Sequence, residues 1–116
     1  MIHIIDVQSR ATMQDLGRFG LRRFGISHSG AMDKLALRAG NILLGNPEGA
    51  PAIEVPLGGL TLQFQQDMNF CVTGAFYEMT LDDKPIFAYW RYQARAGQVL
   101  KMVRAKIGMY GYLCVQ

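Results

Sequence analysis

The order of apolar and polar positions predicts a chain built mainly of short strands. Apolar residues alternate with polar ones at Leu60, Leu62 and Phe64, which is the period of a strand with one buried face. Other runs are rich in β-branched or aromatic residues and are bounded by turn-forming residues. The predicted strands are Met1–Val7, Ala52–Pro56, Leu60–Phe64, Met68–Thr73, Tyr77–Leu81, Ile86–Tyr92, Val99–Val103 and Tyr110–Val115.

One segment has the period of a helix instead. Apolar residues recur at intervals of three and four over Met32–Leu44, which predicts a helix. Ser29 or Asp33 can cap its start, because a short oxygen-bearing side chain accepts a hydrogen bond from a free amide. Gly45 suits the left-handed residue that ends a helix. The predicted buried stripe comprises Leu35, Ala39, Ile42 and Leu43.

The segment Gln8–Ala31 is rich in glycine and has neither period. Loops of this length are uncommon in compact domains and are often functional. Regular short strands with one helix favour an antiparallel sheet or barrel. The chain ends within an apolar run, Tyr112–Gln116, where domains seldom end, so a piece of a longer protein is expected.

Composition excludes several classes of protein. Half of the 116 residues are apolar, and the net charge is only +3. The cluster Arg18, Arg22 and Arg23 is too sparse for a nucleic-acid surface. The apolar runs are too short to span a membrane and no secretory signal is recognised, which predicts a cytoplasmic protein. Cys71 and Cys114 lie in apolar runs and are predicted to be buried free thiols.

Candidate chemistry is concentrated in Gln14–Arg18 and Ser27–Asp33. Motifs for a nucleophile elbow, a phosphate loop or a dinucleotide site are absent, and His3 and His28 lack metal-ligand spacing. The two segments instead bring carboxylates, an arginine and hydroxyls to the start of the predicted helix.

These residues allow two interpretations. The helix amides and Arg18 could hold an anion, with Asp15 or Asp33 orienting a base or acting as one. Alternatively, Asp15 and Arg18 form a structural ion pair, while Ser29 and Asp33 only cap the helix.

Two further polar residues interrupt apolar runs. Asn41 is expected to hydrogen-bond the long Gln8–Ala31 segment, with a role in a binding site as the alternative. Glu54 alternates with Ile53 and Val55 and is predicted to face solvent.

These segments resemble the allophanate hydrolase subunit 2 family of biotin-dependent carboxyltransferase-like proteins. Met13-Gln14-Asp15-Leu16-Gly17-Arg18 and Ser29-Gly30-Ala31-Met32-Asp33 are similar to its VQDLGR and SGAMD motifs. Later similarities are Ala52-Ile53-Glu54-Val55 to A-x-LE, Thr73-Gly74-Ala75 to TGA, and Tyr112-Leu113-Cys114-Val115 to YLAV.

The resemblance implies a mainly β fold with one helix, of the cyclophilin-like β-barrel type, and the N-terminal portion of a longer protein. It implies an ATP-dependent 5-oxoprolinase that converts 5-oxoproline to glutamate. The implied partners are a protein resembling allophanate hydrolase subunit 1, which is the B subunit of a 5-oxoprolinase, and a third protein, its A subunit. Two alternatives stay open: carboxyl transfer to urea from biotin carried on another domain, and a regulatory module that antagonises a histidine-kinase inhibitor.

Under the first interpretation, the candidate residues fall into two groups and include no metal ligand. Asp15 and Asp33 are the candidate catalytic residues. The candidate substrate-binding residues are Arg18, Ser29, Gly30, Met32 and Asn41.

The sequence departs from the family pattern at three places. Phe19 stands where proline is common, and Gly40 stands where alanine is usual. Tyr110 occupies the position of an arginine. If that arginine contacts an anionic substrate or an ATP phosphate, Tyr110 changes what this chain can bind.

Overall fold

The computed structural model describes residues 2–7, 11–15, 28–30 and 32–116. Its helix is α1 (Lys34–Leu44). Its strands are β1 (Ile2–Val7), β2 (Thr12–Asp15), β3 (His28–Gly30), β4 (Ala52–Pro56), β5 (Leu60–Phe64), β6 (Met68–Leu81), β7 (Lys84–Pro85), β8 (Tyr92–Ala94) and β9 (Val99–Val115). Over these residues the chain is mainly β with one helix, as predicted. No helix within them is long and apolar enough to cross a membrane.

The 17-residue strand β9 organises the sheet. Strand β6 pairs antiparallel with one edge of β9 over most of its length. The other edge pairs first with β5 and then with β4, both antiparallel. Strand β1 extends the sheet beyond β5, and β2 followed by β3 extends it beyond β4. The result is an open sheet over the described residues, a form compatible with a barrel-like fold.

Strands β6 and β9 are longer than predicted. Two separate strands were predicted on either side of Gly74, and two more on either side of Gly108. Both glycines have positive φ values, of 86° and 82°. Pairing between β6 and β9 shifts register around Gly74 and Phe76 and then resumes. The glycines therefore accommodate bulges within continuous strands, because a bulge bends a strand without ending it.

Other strand predictions were also wrong. Ile86–Tyr92 was predicted as a strand, but strand β8 begins only at Tyr92. Strands β2 and β3 lie inside the segment Gln8–Ala31, which was predicted to have no regular structure, and they pair in parallel. The hairpin turn predicted before Pro85 is confirmed, since Asp82 and Asp83 have φ values of 49° and 66°, as a two-residue hairpin turn requires.

The caps of helix α1 are among those predicted, but the helix begins at Lys34, two residues after the predicted start, and its buried face differs from the predicted one. Asp33 caps the start, and Gly45 ends the helix in the left-handed conformation with φ 78°. Leu35, Ile42 and Leu43, which were predicted to be buried, are exposed. The buried residues are instead Ala36, Leu37, Gly40, Asn41 and Leu44. The apolar stripe was misplaced because the face that contacts the sheet combines two leucines with the small residues Ala36 and Gly40 and the polar residue Asn41.

The central strands are covered on both faces. One face carries the main core, in which Ile53, Val72 and Leu113 are buried together. Helix α1 covers the opposite face and packs on Ala52, Cys71, Cys114 and Tyr112. Because side chains alternate along a strand, β4, β6 and β9 each contribute to both clusters.

Gly40 lets α1 approach the sheet at Cys114. A Cβ at position 40 would overlap the Sγ atom of Cys114 and lie 3.1 Å from the Oγ1 atom of Thr73. Both cysteines are buried and free, as predicted. In the family pattern that the chain resembles, alanine is usual at position 40, and the YLAV motif has alanine at the position of Cys114. A smaller residue on the helix thus accompanies a larger one on the strand, which conserves volume in a close-packed core.

We expect Gly40→Ala and Cys114→Ala to compensate each other. Gly40→Ala should lower the free energy of unfolding by about 1–3 kcal/mol through overpacking. Cys114→Ala should also destabilise, because it leaves a cavity. The double variant should be more stable than either single variant, as measured by urea unfolding in a double-mutant cycle. Strictly additive losses would contradict direct packing between the two positions.

Candidate functional site

A surface pocket of about 280 Å³ opens beside the start of helix α1. Asp33 lies at its edge, and the bulged parts of β6 and β9 form its walls. The pocket is lined by Asp33, Gly74, Ala75, Phe76, Tyr89, Ile107, Gly108, Met109 and Tyr110. It therefore combines apolar and aromatic walls with a few polar groups, which is the usual make-up of a small-molecule site.

The Asp33 carboxylate is held in place by its own helix. Its Oδ1 atom accepts a hydrogen bond from the Ala36 amide at 3.0 Å. This bond uses one of the two carboxylate oxygens, and the residue is exposed at the pocket. Asp33 is thus both a helix cap, as one interpretation of the sequence held, and a carboxylate that a ligand can reach.

Tyr89 forms an aromatic wall in a strained backbone conformation. Its φ is 64°, which is rare for a bulky side chain and costs on the order of 1–3 kcal/mol. Two hydrogen bonds hold it there: its amide donates to the Val72 carbonyl at 2.8 Å, and its hydroxyl accepts from the Gly74 amide at 3.0 Å. The centroid of its ring lies 6.1 Å from the centroid of the Phe76 ring. Strain of this kind is concentrated at functional sites.

A buried network lies beneath the start of the helix. The Oε2 atom of Glu54 accepts hydrogen bonds from the Met32 amide at 3.0 Å and from the Tyr112 hydroxyl at 2.5 Å. The Tyr112 oxygen in turn accepts from the Asp33 amide at 2.8 Å. Glu54 was predicted to face solvent, and that prediction was wrong. It is only 5% exposed, because its side of β4 faces the cluster covered by α1.

These hydrogen bonds change which kind of ligand group is expected to bind at the helix start. The amides of Asp33, Ala36 and Leu37 donate to groups within the chain. An anion at the helix start would therefore compete with the Asp33 carboxylate, and the buried Glu54 carboxylate lies nearby. Next to Asp33, the described groups therefore favour an N–H group of a ligand over the anionic group that the helix start predicted.

Asn41 lies at the other end of helix α1. Eight residues separate it from Asp33, which corresponds to about 12 Å along a helix. Its Nδ2 atom donates to the carbonyls of Glu48 and Ala50, at 3.0 and 2.9 Å. These two bonds fix the turn that follows the helix. The bond expected between Asn41 and the segment Gln8–Ala31 concerns residues that lie mostly outside the described part of the chain.

The other predicted site residues are only partly described. Asp15 and Gly30 are register partners in the parallel pair of β2 and β3, and Ser29 pairs with Gln14. The structure thus brings the backbones of the two predicted segments together. In the last pair, Asp15 with Gly30, the glycine lies two residues before Met32 in the sequence. Arg18 and the side chains of Asp15 and Ser29 lie outside the described residues. Met32 is exposed, and its amide is bonded to Glu54.

Sequence reasoning missed Tyr89, Glu54 and Tyr112. Glu54 carried a usable signal, since it is a charged residue inside a family motif. Tyr89 carried none, because its conformation depends on contacts with β6. No group of three or more His, Cys, Asp or Glu residues in the described part of the chain could hold a metal ion.

Burial also changes the acidity of two tyrosines. The pKa of Tyr112 is raised above its ordinary value, first by burial and then by its hydrogen bond to Glu54. The pKa of Tyr77, whose hydroxyl donates to the Val55 carbonyl, is raised mainly by burial. Both hydroxyls therefore stay protonated and able to donate at neutral pH.

The fold is that of a carboxyltransferase-type domain. Residues 24–116 match the family model for the carboxyltransferase domain, subdomains A and B. The chain belongs to this family.

Two curated proteins and one solved structure are similar to this chain. The chain is 88% identical over 116 residues to the C subunit of the 5-oxoprolinase of Haemophilus influenzae and covers 38% of it. It is 47% identical over 115 residues, 99% of its length, to the same subunit of the Escherichia coli enzyme, and covers 37% of that protein. The chain thus spans less than two fifths of these relatives. A crystal structure of Kluyveromyces lactis urea carboxylase superimposes with a TM-score of 0.86 at 29% identity, over 98% of this chain and 10% of that one.

We expect stability to fall at alkaline pH because of Tyr77 and Tyr112. Their folded pKa values are raised above the unfolded value of about 10. Their contribution is therefore complete below about pH 10 and is lost as the pH rises through the folded pKa. Urea unfolding between pH 8 and 11 should show this loss. The free energy of unfolding should fall less steeply with pH in Tyr112→Phe than in the wild type. Ionisation of all five tyrosines together near pH 10 in the folded protein would contradict it.

Proposed function

We propose that this chain forms part of the C subunit of a 5-oxoprolinase, and that the pocket beside Asp33 contributes to binding and opening the lactam ring of 5-oxoproline. The observation that carries the proposal is the 88% identity to the Haemophilus influenzae protein, which extends over the whole of this chain. At that identity, pocket residues are expected to have the same roles in both proteins.

The pocket chemistry supports a lactam as the ligand. A lactam ring is small, and its N–H group is a hydrogen-bond donor. The exposed Asp33 carboxylate can accept that hydrogen bond, while the Tyr89 and Phe76 rings pack against the ring carbons. Hydrolysis breaks the lactam C–N bond, with the hydroxyl of water going to the carbonyl carbon and a proton going to the nitrogen. The Asp33 carboxylate, exposed at the pocket, can orient or deprotonate that water.

The proposal includes partners and ATP. The A and B subunits of the enzyme, the latter resembling allophanate hydrolase subunit 1, would complete the reaction together with ATP. The sequence candidates Arg18, Asp15 and Ser29 would add to this site, with Arg18 binding the carboxylate of 5-oxoproline. Tyr110, which lines the pocket, would contact the substrate where the family has an arginine.

Carboxyl transfer to a urea-like substrate is the second candidate. The structural likeness to a urea carboxylase, with a TM-score of 0.86, favours it. A urea N–H group could bond to Asp33 as a lactam N–H group would. Identity of 29% to that enzyme, against 88% to the 5-oxoprolinase protein, places it second.

We expect Asp33→Asn to abolish most turnover without unfolding the protein. Asparagine caps a helix about as well as aspartate, so stability should change by less than about 0.5 kcal/mol. Loss of the charge should lower kcat about 100-fold if the carboxylate acts as a base. The assay is ATP hydrolysis and glutamate release by the full-length protein with its partner proteins, with and without 5-oxoproline.

Asp67→Asn is the matched control. The Asp67 carboxylate also accepts a hydrogen bond from a backbone amide, that of Ala96 at 2.8 Å, but it lies outside the pocket. The control should keep full activity. Wild-type turnover in Asp33→Asn would overturn the role of Asp33. An assembled wild-type complex that does not respond to 5-oxoproline would overturn the 5-oxoprolinase function and favour urea carboxylation or a regulatory module.

A further inference from the structure

The buried pair Glu54 and Tyr112 has a geometry that a simple core contact does not require. Tyr112 is fully buried, and Glu54 is nearly so. Burial of a carboxylate costs several kcal/mol unless hydrogen bonds compensate for lost water. Here the bonds go to the backbone of Met32 and Asp33 and to each other.

Each bond has a defined direction. The Tyr112 hydroxyl donates its only hydrogen to Glu54, so its oxygen is the acceptor for the Asp33 amide. Glu54 accepts at one oxygen from both the hydroxyl and the Met32 amide. Phenylalanine at position 112 would fill the same space but break two of the three bonds.

The network joins strand β4, strand β9 and the residues that precede helix α1. Glu54 and Tyr112 are register partners on the adjacent strands β4 and β9. The two amides that they bind precede α1 directly, and the second belongs to the residue whose carboxylate borders the pocket. The position of Asp33 relative to the β9 wall is thus set by hydrogen bonds of fixed length, not by apolar packing.

We propose that Glu54 and Tyr112 are positioning residues, which hold the Met32–Asp33 backbone so that the Asp33 carboxylate meets the substrate in the pocket. This inference rests on the proposed function of the pocket. The two residues do not touch the substrate; they act through Asp33. A displacement of a reacting group by about 1 Å can lower a rate about 100-fold, so a network that sets such a distance can control turnover.

The test compares Tyr112→Phe with Tyr77→Phe in the full-length protein assembled with its partners. Tyr77 is a matched control, because it is a buried tyrosine whose hydroxyl also bonds to strand β4, at the Val55 carbonyl, but has no bond to the start of α1. Tyr112→Phe should lower kcat at least about tenfold and change KM less than about twofold. Tyr77→Phe should leave both constants within about twofold.

A second measurement separates positioning from general destabilisation. Amide hydrogen exchange at Met32 and Asp33 should become faster in Tyr112→Phe and stay unchanged in Tyr77→Phe. Glu54→Gln keeps an oxygen that can accept both bonds, so it should retain more activity than Glu54→Leu. This pair provides the test if Tyr112→Phe does not fold.

The outcomes distinguish this inference from the function on which it rests. Unchanged exchange at both amides, or equal activity of Tyr112→Phe and Tyr77→Phe, would overturn the positioning role. Glu54→Gln no more active than Glu54→Leu would also overturn it. If the wild-type complex shows no response to 5-oxoproline, the proposed function fails, and the exchange measurement then decides whether the network holds the backbone at all.

Discussion

The pairing of β9 with β6 along one edge and with β5 and β4 along the other is the constraint on which the rest of the structure depends. Because β9 is shared, the main core on one face and the helix-covered cluster on the other are fixed relative to each other. The bulged parts of β6 and β9 then open the pocket at the point where the helix begins. The site is thus a product of where regular pairing is interrupted.

Close contact between helix and sheet gives the site its rigidity. Gly40 brings α1 to Cys114, and Thr73 donates to the Ala36 carbonyl at 2.7 Å. At the start of the helix, apolar packing gives way to the bonds of Glu54 and Tyr112. Polar atoms are used there because hydrogen bonds set direction as well as distance, which packing of apolar groups does not. Helix packing and these hydrogen bonds together position the Asp33 carboxylate at the edge of the pocket.

The relatives and the geometry of the pocket give separate information about function. The chain is similar to a 5-oxoprolinase subunit and to a urea carboxylase, and both names refer to small molecules that contain an amide or urea group. The geometry adds an exposed carboxylate, a strained aromatic wall and a buried network, independently of those names. Lactams and ureas share an N–H donor beside a carbonyl, so under the proposed function the same carboxylate binds the N–H group in either case.

The sequence by itself determined the helix caps, the hairpin turn at Asp82–Asp83, the alternating strand at Leu60–Phe64 and the family, because each depends on neighbouring residues or on a motif read along the chain. It also predicted Asp33 as a cap of the helix, which the structure confirms. Only the tertiary structure decided that Glu54 is buried, that Leu35 and Ile42 are exposed, and that β6 and β9 continue through their glycines. These features depend on what packs against each face, and that is set by residues distant in sequence. The strain at Tyr89 and the bond from Tyr112 to Glu54 are of the same kind, since neither exists until β4, β6 and β9 are assembled beneath the helix.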